Sequence, residues 1–504
     1  MKPRKSREGT AHAPGTLGRT IPMLLLTLLV IALAVPAGVA VSPGFRGPAR
    51  PPEPAAAGPW QQLPASLSTP DGGPGTAGAM RPLSDAAPVP EAAVLTAALT
   101  ATLKTDGAGS FSGVVQDAIT GKVLFDRSGD EVRAPASNIK LLTAAAALRT
   151  LGPDRRFSTR VVAGPKPGSV VLTGGGDVLL GAGKSAPDAV LGRGGLATLA
   201  ESTVDALRKA GTTGPVSVLL DDSLFTGPSL SPAWSPEDVA AGEVAPLFPL
   251  ALNSARFDPA VTTGPRPRDA AMTAAEAFAA RLSAAGAAAG LTVAPGVARL
   301  PAARKPSPAA GGQAGKVLAE VQSATVSQQV DLMLRTSDNY LAEVLGRMVA
   351  VASGKPASNA GAVAAVLRQL EELGIPAATL RAADLAGLTL DNKVSARQLA
   401  AVVRAMTTGT DTRLRSALAG FPVAGLTGTL GSRYTDTSTA RGAGLVRAKT
   451  GTLNTVIALS GYVVDADGRL LVFSFIGNGL TPGAAGNKTA LDRTASVLAG
   501  CGCR

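Results

Sequence analysis

Three short segments carry residue types that together can perform acyl transfer: Ser137-Asn-Ile-Lys140, Ser337-Asp338-Asn339 and Lys449-Thr450-Gly451. The single histidine, His12, lies in a basic N-terminal tail, so a Ser-His-Asp triad or a histidine-ligated metal site in the folded body is excluded by inventory. If a serine is the nucleophile, a lysine must be its base. On a helix, residues i and i+3 share a face with Cβ atoms roughly 5 to 6 Å apart, which brings the Lys140 amine within reach of the Ser137 hydroxyl. A lysine is protonated in water at neutral pH, but desolvation and a second cation both lower its pKa, and Lys449 is the candidate for that cation. Neutral Lys140 can then accept the Ser137 proton. Backbone N–H groups at the helix N-terminus, with a second donor at Thr452 on a passing strand, make the expected oxyanion hole.

Ser337 is suited to relay a proton between the lysine system and a leaving amine, while Asn339 offers a carbonyl and an amide to align a substrate peptide bond. Lys449 and Thr450 are read as projecting from an edge strand towards a substrate carboxylate. Gly451 is read as letting a peptide lie close against that strand. Each string alone is a weak match: Ser137 and Ser337 could be ordinary helix caps, and the third string a strand end. Their occurrence together, in order and in suitable local context, is the strong signal.

Positioning these groups requires particular elements. An apolar-periodic stretch from Glu91 to Leu103 predicts a helix, and Phe111–Asp117 with Val123–Phe125 predict a hairpin. Pro135 introduces a helix carrying Ser137 near its first turn and continuing through Leu141, Leu142 and Leu148. Leu341, Val344, Leu345 and Met348 put Ser337-Asp338-Asn339 at another helix N-terminus. Leu445–Thr450, Val456–Val464 and Leu470–Ile476 read as consecutive antiparallel strands, closed by a helix near Lys488–Leu498. The order predicts an α+β fold with helices packed on an antiparallel sheet. The chain between Ser137 and Ser337 is longer than a compact acyl-transfer domain needs. Residues 157–318, with strands at Val170–Leu172 and Val216–Leu220 and helices near Leu196–Ala210 and Ala274–Ala289, are therefore expected to be inserted between catalytic segments 89–156 and 319–504. Gly174-Gly175-Gly176-Asp177 within it lacks a phosphate-loop pattern and reads as a tight turn.

At the N-terminus, a basic tail (residues 1–20) precedes an uncharged run, 21–41, long enough to cross a bilayer. This predicts a cytoplasmic tail and an exported body, anchored in the membrane if the segment is retained and secreted if it is cleaved. Residues 42–88 are dense in Pro, Gly and Ala and read as a spacer. The tail accounts for +4 of the formal net charge of +12, and with aromatics at 3% the remaining bias does not point to nucleic acid. Cys501 and Cys503 have neither zinc-site nor redox-motif spacing; a local disulfide and two thiols are both open.

With these residues in view, the chain resembles the D-Ala-D-Ala carboxypeptidase/endopeptidase family, the class C low-molecular-mass penicillin-binding proteins. The resemblance extends to Leu172-Thr-Gly-Gly-Gly-Asp177, to Asp384 with Gly387-Leu388 and Asn392, and to Arg447–Leu453 through Gly461-Tyr462. It implies a penicillin-binding, serine β-lactamase-like fold and no cofactor. Ser137 would be the acylated nucleophile, Lys140 the base, Ser337 and Asn339 the second active-site element, and Lys449, Thr450 and Gly451 the carboxylate-binding strand. The implied substrates are peptidoglycan stem peptides ending in D-Ala-D-Ala, or the cross-links made from them, with β-lactams as covalent inhibitors. The family usually reads Asp-x-Ser-Gly-Leu-Ser around Asp384, whereas Ala386 and Thr389 stand here, a departure that bears on substrate preference at that wall. The alternatives are a β-lactamase-type hydrolase, for which no Glu-x-x-Leu-Asn-like segment is found between Asn339 and Lys449, and a non-catalytic cell-wall scaffold, which the intact trio disfavours.

Overall fold

The computed structural model of the chain describes residues 83–301 and 315–503. The Ile21–Val41 run and most of the spacer lie outside them; among the described residues no helix is long and apolar enough to cross a membrane.

Helix α1 (Ala92–Thr102) leads into strands β1 (Ala108–Asp117), β2 (Val123–Arg127) and β3 (Val132–Arg133), a 3-10 turn at Ala136–Ile139, and helix α2 (Lys140–Leu151). The middle of the chain forms β4 (Ser158–Ala163), β5 (Ser169–Thr173), β6 (Asp177–Leu180), α3 (Leu196–Lys209), β7 (Val216–Asp221), α4 (Pro236–Ala241), β8 (Leu250–Leu252), α5 (Ala270–Ala288), β9 (Val293–Arg299) and β10 (Val317–Gln322). Helices α6 (Val326–Thr336), α7 (Asn339–Ala352) and α8 (Asn359–Glu372) follow, then β11 (Val394–Ser395) and α9 (Ala396–Thr407). The chain closes with β12 (Arg447–Leu453), β13 (Val456–Val464), β14 (Leu470–Thr481) and α10 (Ala484–Ala499).

Strands β12-β13-β14-β1-β2 pair antiparallel in that order, so β1 lies beside β14 and β12 is an edge. Successive side chains of a strand face opposite sides, and this alternation gives the sheet two cores. Val114, Ala458, Val472 and Ile476 pack with Leu141 and Leu142 of α2 and Val344 of α7. Their neighbours Val115, Leu459, Phe473 and Phe475 pack with Leu95 and Leu99 of α1 and Leu491 and Leu498 of α10. Helices on both faces of an antiparallel sheet are the expected α+β arrangement.

A second, mixed sheet has the order β10-β4-β5-β7-β9, with β5, β7 and β9 parallel. Its core of Val170, Leu172, Val218 and Leu220 is covered by Leu199 and Val204 of α3 and by Phe278 and Leu282 of α5. The sheet runs past residue 318, because β10 pairs along β4 as far as Gln322 opposite Ser158. At the other end of the chain, Cys501 and Cys503 are joined by a disulfide.

One local element differs from expectation. Pro135 introduces the 3-10 turn rather than the first turn of an α-helix, Ala136 has φ of 46°, and the α-helix begins only at Lys140. The pairing of Ser137 with Lys140 survives because a 3-10 helix repeats every three residues, which aligns i with i+3.

Candidate active site

Ser137 sits half-buried in a cleft of 420 Å³ with Ser337, Asn339, Thr450 and Thr452. Three parts of the chain therefore converge: the 3-10 turn before α2, the α6–α7 junction and edge strand β12. Gly451 makes the convergence possible. A Cβ there would lie 2.7 Å from the Pro135 carbonyl oxygen and 2.8 Å from Asn138 Nδ2. Its bare Cα thus faces the turn that carries Ser137, which corrects the expectation that it makes room for an incoming peptide.

Lys140 is fully buried, and its Nζ lies 2.9 Å from Ser137 Oγ and 2.7 Å from Asn339 Oδ1, with a third contact to the Ala386 carbonyl. Burial brings its pKa down from 10.5 to about 8, against the upward pull of Asp384, Asp338, Glu343 and Glu243. As a neutral amine it keeps two N–H groups and one lone pair. With the two N–H groups on Asn339 Oδ1 and Ala386 O, the lone pair is left for the Ser137 hydroxyl, the geometry a general base requires.

Lys449 is also fully buried. Its Nζ donates to Ser337 Oγ at 2.9 Å and to the Thr450 carbonyl at 2.7 Å. Adjacent strand residues point to opposite faces, so Lys449 and Thr450 do not project together: Thr450 and Thr452 line the cleft while Lys449 reaches Ser337 from behind it. Burial first, and then the Lys140 charge, hold the Lys449 pKa well below its usual value. The repulsion expected between the two lysines is felt at Lys449, and burial is the larger cause of the lowering at both amines.

The α6–α7 junction owes its shape to capping. Ser337 ends α6 in the left-handed conformation, φ 59°, and Asp338 caps α7 by accepting the Leu341 N–H at 2.9 Å. A non-glycine residue held there is strained unless its surroundings fix it. Asp338 supplies the restraint: its carboxylate also accepts from Ser254 Oγ at 2.9 Å and from Arg256 at 2.8 Å, both from the middle of the chain. Glu243, Arg256, Thr262, Thr263 and Arg266 come from the same region and line the cleft together with Thr429, Ser432, Arg433 and Lys488. The Asn339 amide nitrogen donates to the Glu243 carbonyl at 2.9 Å, which fixes its oxygen towards Lys140.

The Ala386 departure acquires a meaning here. Ala386 is fully buried and contributes its main-chain carbonyl to Lys140 and Ser137, a group that any side chain leaves in place. Thr389 is buried and its hydroxyl accepts the Asp391 N–H at 3.1 Å.

The sheet with helices on both faces, and the serine–lysine pair beside its edge strand, define a protein of the penicillin-binding class. Penicillin binding protein 4 from Haemophilus influenzae has this fold: the match covers 80% of this chain and 98% of that one, with a TM-score of 0.63 at 20% sequence identity. The sequence relatives are closer. A carboxypeptidase of Mycobacterium tuberculosis is 39% identical over 425 residues, 84% of this chain and 87% of that protein. The D-alanyl-D-alanine carboxypeptidase of Actinomadura sp. (strain R39) is 32% identical over 444 residues, 74% of this chain and 78% of that protein. The D-Ala-D-Ala carboxypeptidase 3 (S13) family model matches residues 95–290 and 265–499, and the chain belongs to that family.

Proposed function

We propose that this chain is a serine D-Ala-D-Ala carboxypeptidase acting on peptidoglycan stem peptides through an acyl-enzyme on Ser137. The observation that carries the reading is the 2.9 Å contact between Lys140 Nζ and Ser137 Oγ, in a protein whose folded body has no histidine to serve as base. Lys140 takes the Ser137 proton as Oγ attacks the penultimate D-Ala carbonyl. Backbone N–H groups at the Ser137 turn and at Thr452 stabilise the oxyanion. As the C–N bond breaks, a proton reaches the departing D-Ala amine through Ser337, which Lys449 holds; water then hydrolyses the ester. Thr450 and Thr452 meet the terminal carboxylate, whose negative charge is matched by the Lys449 amine behind them. A β-lactam enters by the same attack and leaves Ser137 acylated.

On this reading residues 89–156 and 323–504 form the catalytic body, and the inserted region, which the β10–β4 pairing carries as far as Gln322, walls its cleft. The uncharged run at 21–41 directs the body out of the cytoplasm and holds it at the membrane, with residues 42–88 as spacer. A second activity, cleavage of cross-links, needs the same attack on a D-Ala carbonyl with a bulkier leaving amine. The test is to follow free D-Ala released from a stem pentapeptide and monomers released from a cross-linked dimer. Release from either, abolished by Ser137→Ala, is the expected result; turnover of neither by folded protein would overturn the proposal.

A further inference from the structure

Lys140 can aim its lone pair at Ser137 only while the Ala386 carbonyl stays where it is, and that carbonyl belongs to a loop. Two buried carboxyl groups grip the loop from beneath. Asp384 accepts the Gly387 N–H at 2.7 Å and the Leu388 N–H at 3.0 Å, and is itself held by Asn392 Nδ2 at 2.8 Å and Trp234 Nε1 at 3.0 Å. Glu343 Oε1 accepts the Leu385 N–H at 2.7 Å and the Ala386 N–H at 2.8 Å. Glu343 lies four residues after Asn339 on α7, on the same helical face. One side of one helix thus sets both acceptors of Lys140: Asn339 directly, and the Ala386 carbonyl through the two amides that Glu343 holds.

The loop has little freedom to find this position by another route. Gly387 turns the chain at φ 88°, and a Cβ there would fall 2.1 Å from the Ala136 carbonyl oxygen, so the loop lies directly against the turn that carries Ser137. On the far side Thr143 Oγ1 donates to the Leu385 carbonyl at 3.2 Å. The remaining amides, those of Leu385 and Ala386, have Glu343 as their acceptor.

We propose that Glu343 is a positioning residue for the reaction assigned above: by accepting the Leu385 and Ala386 amides it fixes the Ala386 carbonyl on Lys140 and so directs the lone pair of the base at Ser137. Its charge state suits the task. Burial, reinforced by Asp384, raises the Glu343 pKa to about 8, which weakens its negative pull on Lys140 near neutral pH while leaving an oxygen free to grip the loop. The required feature is an acceptor oxygen at that place, not a charge.

The inference rests on the proposed serine–lysine chemistry, and the experiment separates the two. The rate of benzylpenicillin acylation and the kcat and KM for D-Ala release are measured on the full chain, for wild type, Glu343→Met and Glu343→Gln, with circular dichroism and thermal unfolding reporting the fold. Methionine fills the volume without an acceptor; glutamine restores the acceptor oxygen. A displacement of about 1 Å at a reacting group costs on the order of 100-fold. Acylation and kcat are therefore expected to fall about 100-fold in folded Glu343→Met with KM within about threefold, and to return to within about fivefold of wild type in Glu343→Gln. Glu343→Leu takes the place of the methionine variant if that one is not recovered folded, and is read in the same way. Wild-type rates in the folded apolar variant, or a glutamine variant as slow as the apolar one, would overturn the inference while leaving the chemistry standing. A wild type that takes no penicillin and releases no D-Ala would overturn both.

Discussion

Lys140 and Lys449 are equally buried, each contacts one serine of the same cleft, and the protein treats them in opposite ways. Lys140 has three polar partners, Ser137 Oγ, Asn339 Oδ1 and Ala386 O, and feels four carboxyl groups that moderate the effect of burial and leave its pKa at about 8. Among the described residues, Lys449 has only Ser337 Oγ and the Thr450 carbonyl as acceptors, and no carboxylate offsets its burial. The first environment is complete without substrate and tunes an amine close to the working pH, where a general base is most effective. The second lacks an anion, and on the proposed reading a substrate carboxylate supplies one. Burial alone would have made the two lysines alike; the acceptors and carboxylates around each distinguish the proposed base from the proposed binding group.

Removing each lysine in turn should separate them. Lys140→Met, which deletes the base, is expected to slow benzylpenicillin acylation by up to about 10⁴-fold, measured as the second-order rate of adduct formation. Lys449→Met should cost less, about 100-fold in kcat/KM for D-Ala release, carried largely by KM because the charge that pairs with the substrate carboxylate is gone. Equal losses in kcat for the two variants would break the comparison. The pH profile sharpens it. Lys140 works as the free base, so acylation should rise about tenfold per unit as pH increases towards 8 and level off above it, and the same limb should persist in Lys449→Met. A limb that disappears with Lys449 would assign the titration to the wrong lysine.

Much of this site is legible in the amino-acid sequence, and the reason is chemical. Ser137, Lys140, Ser337, Asn339 and Lys449 carry polar or reactive side chains whose spacing reports the turns and strands that bring them together. The strands of the catalytic sheet are equally plain, because Val114 and Val115, or Val472 and Phe473, alternate between two cores. What escapes is of two kinds. The Ala386 carbonyl acts through the main chain, so no residue type marks it, and Gly451 signals a close approach without saying to what. Glu243, Arg256 and Arg266 reach the cleft from the middle of the chain through a loop path that local periodicity does not encode. Glu343 lies between these cases: its place one turn beyond Asn339 puts a carboxyl on the face of α7 that meets the site, but its partners are backbone amides from a loop over forty residues later.

The central claim is that Ser137 is a nucleophile activated by Lys140, and the most direct measurement is the intact mass of the folded chain after exposure to benzylpenicillin, beside Ser137→Ala. A stable adduct of one penicillin on the wild type, absent from the variant, is the predicted result. Folded wild-type protein that gains no mass while the penicillin stays intact would contradict it, and an adduct of equal yield on Ser137→Ala would contradict it as well.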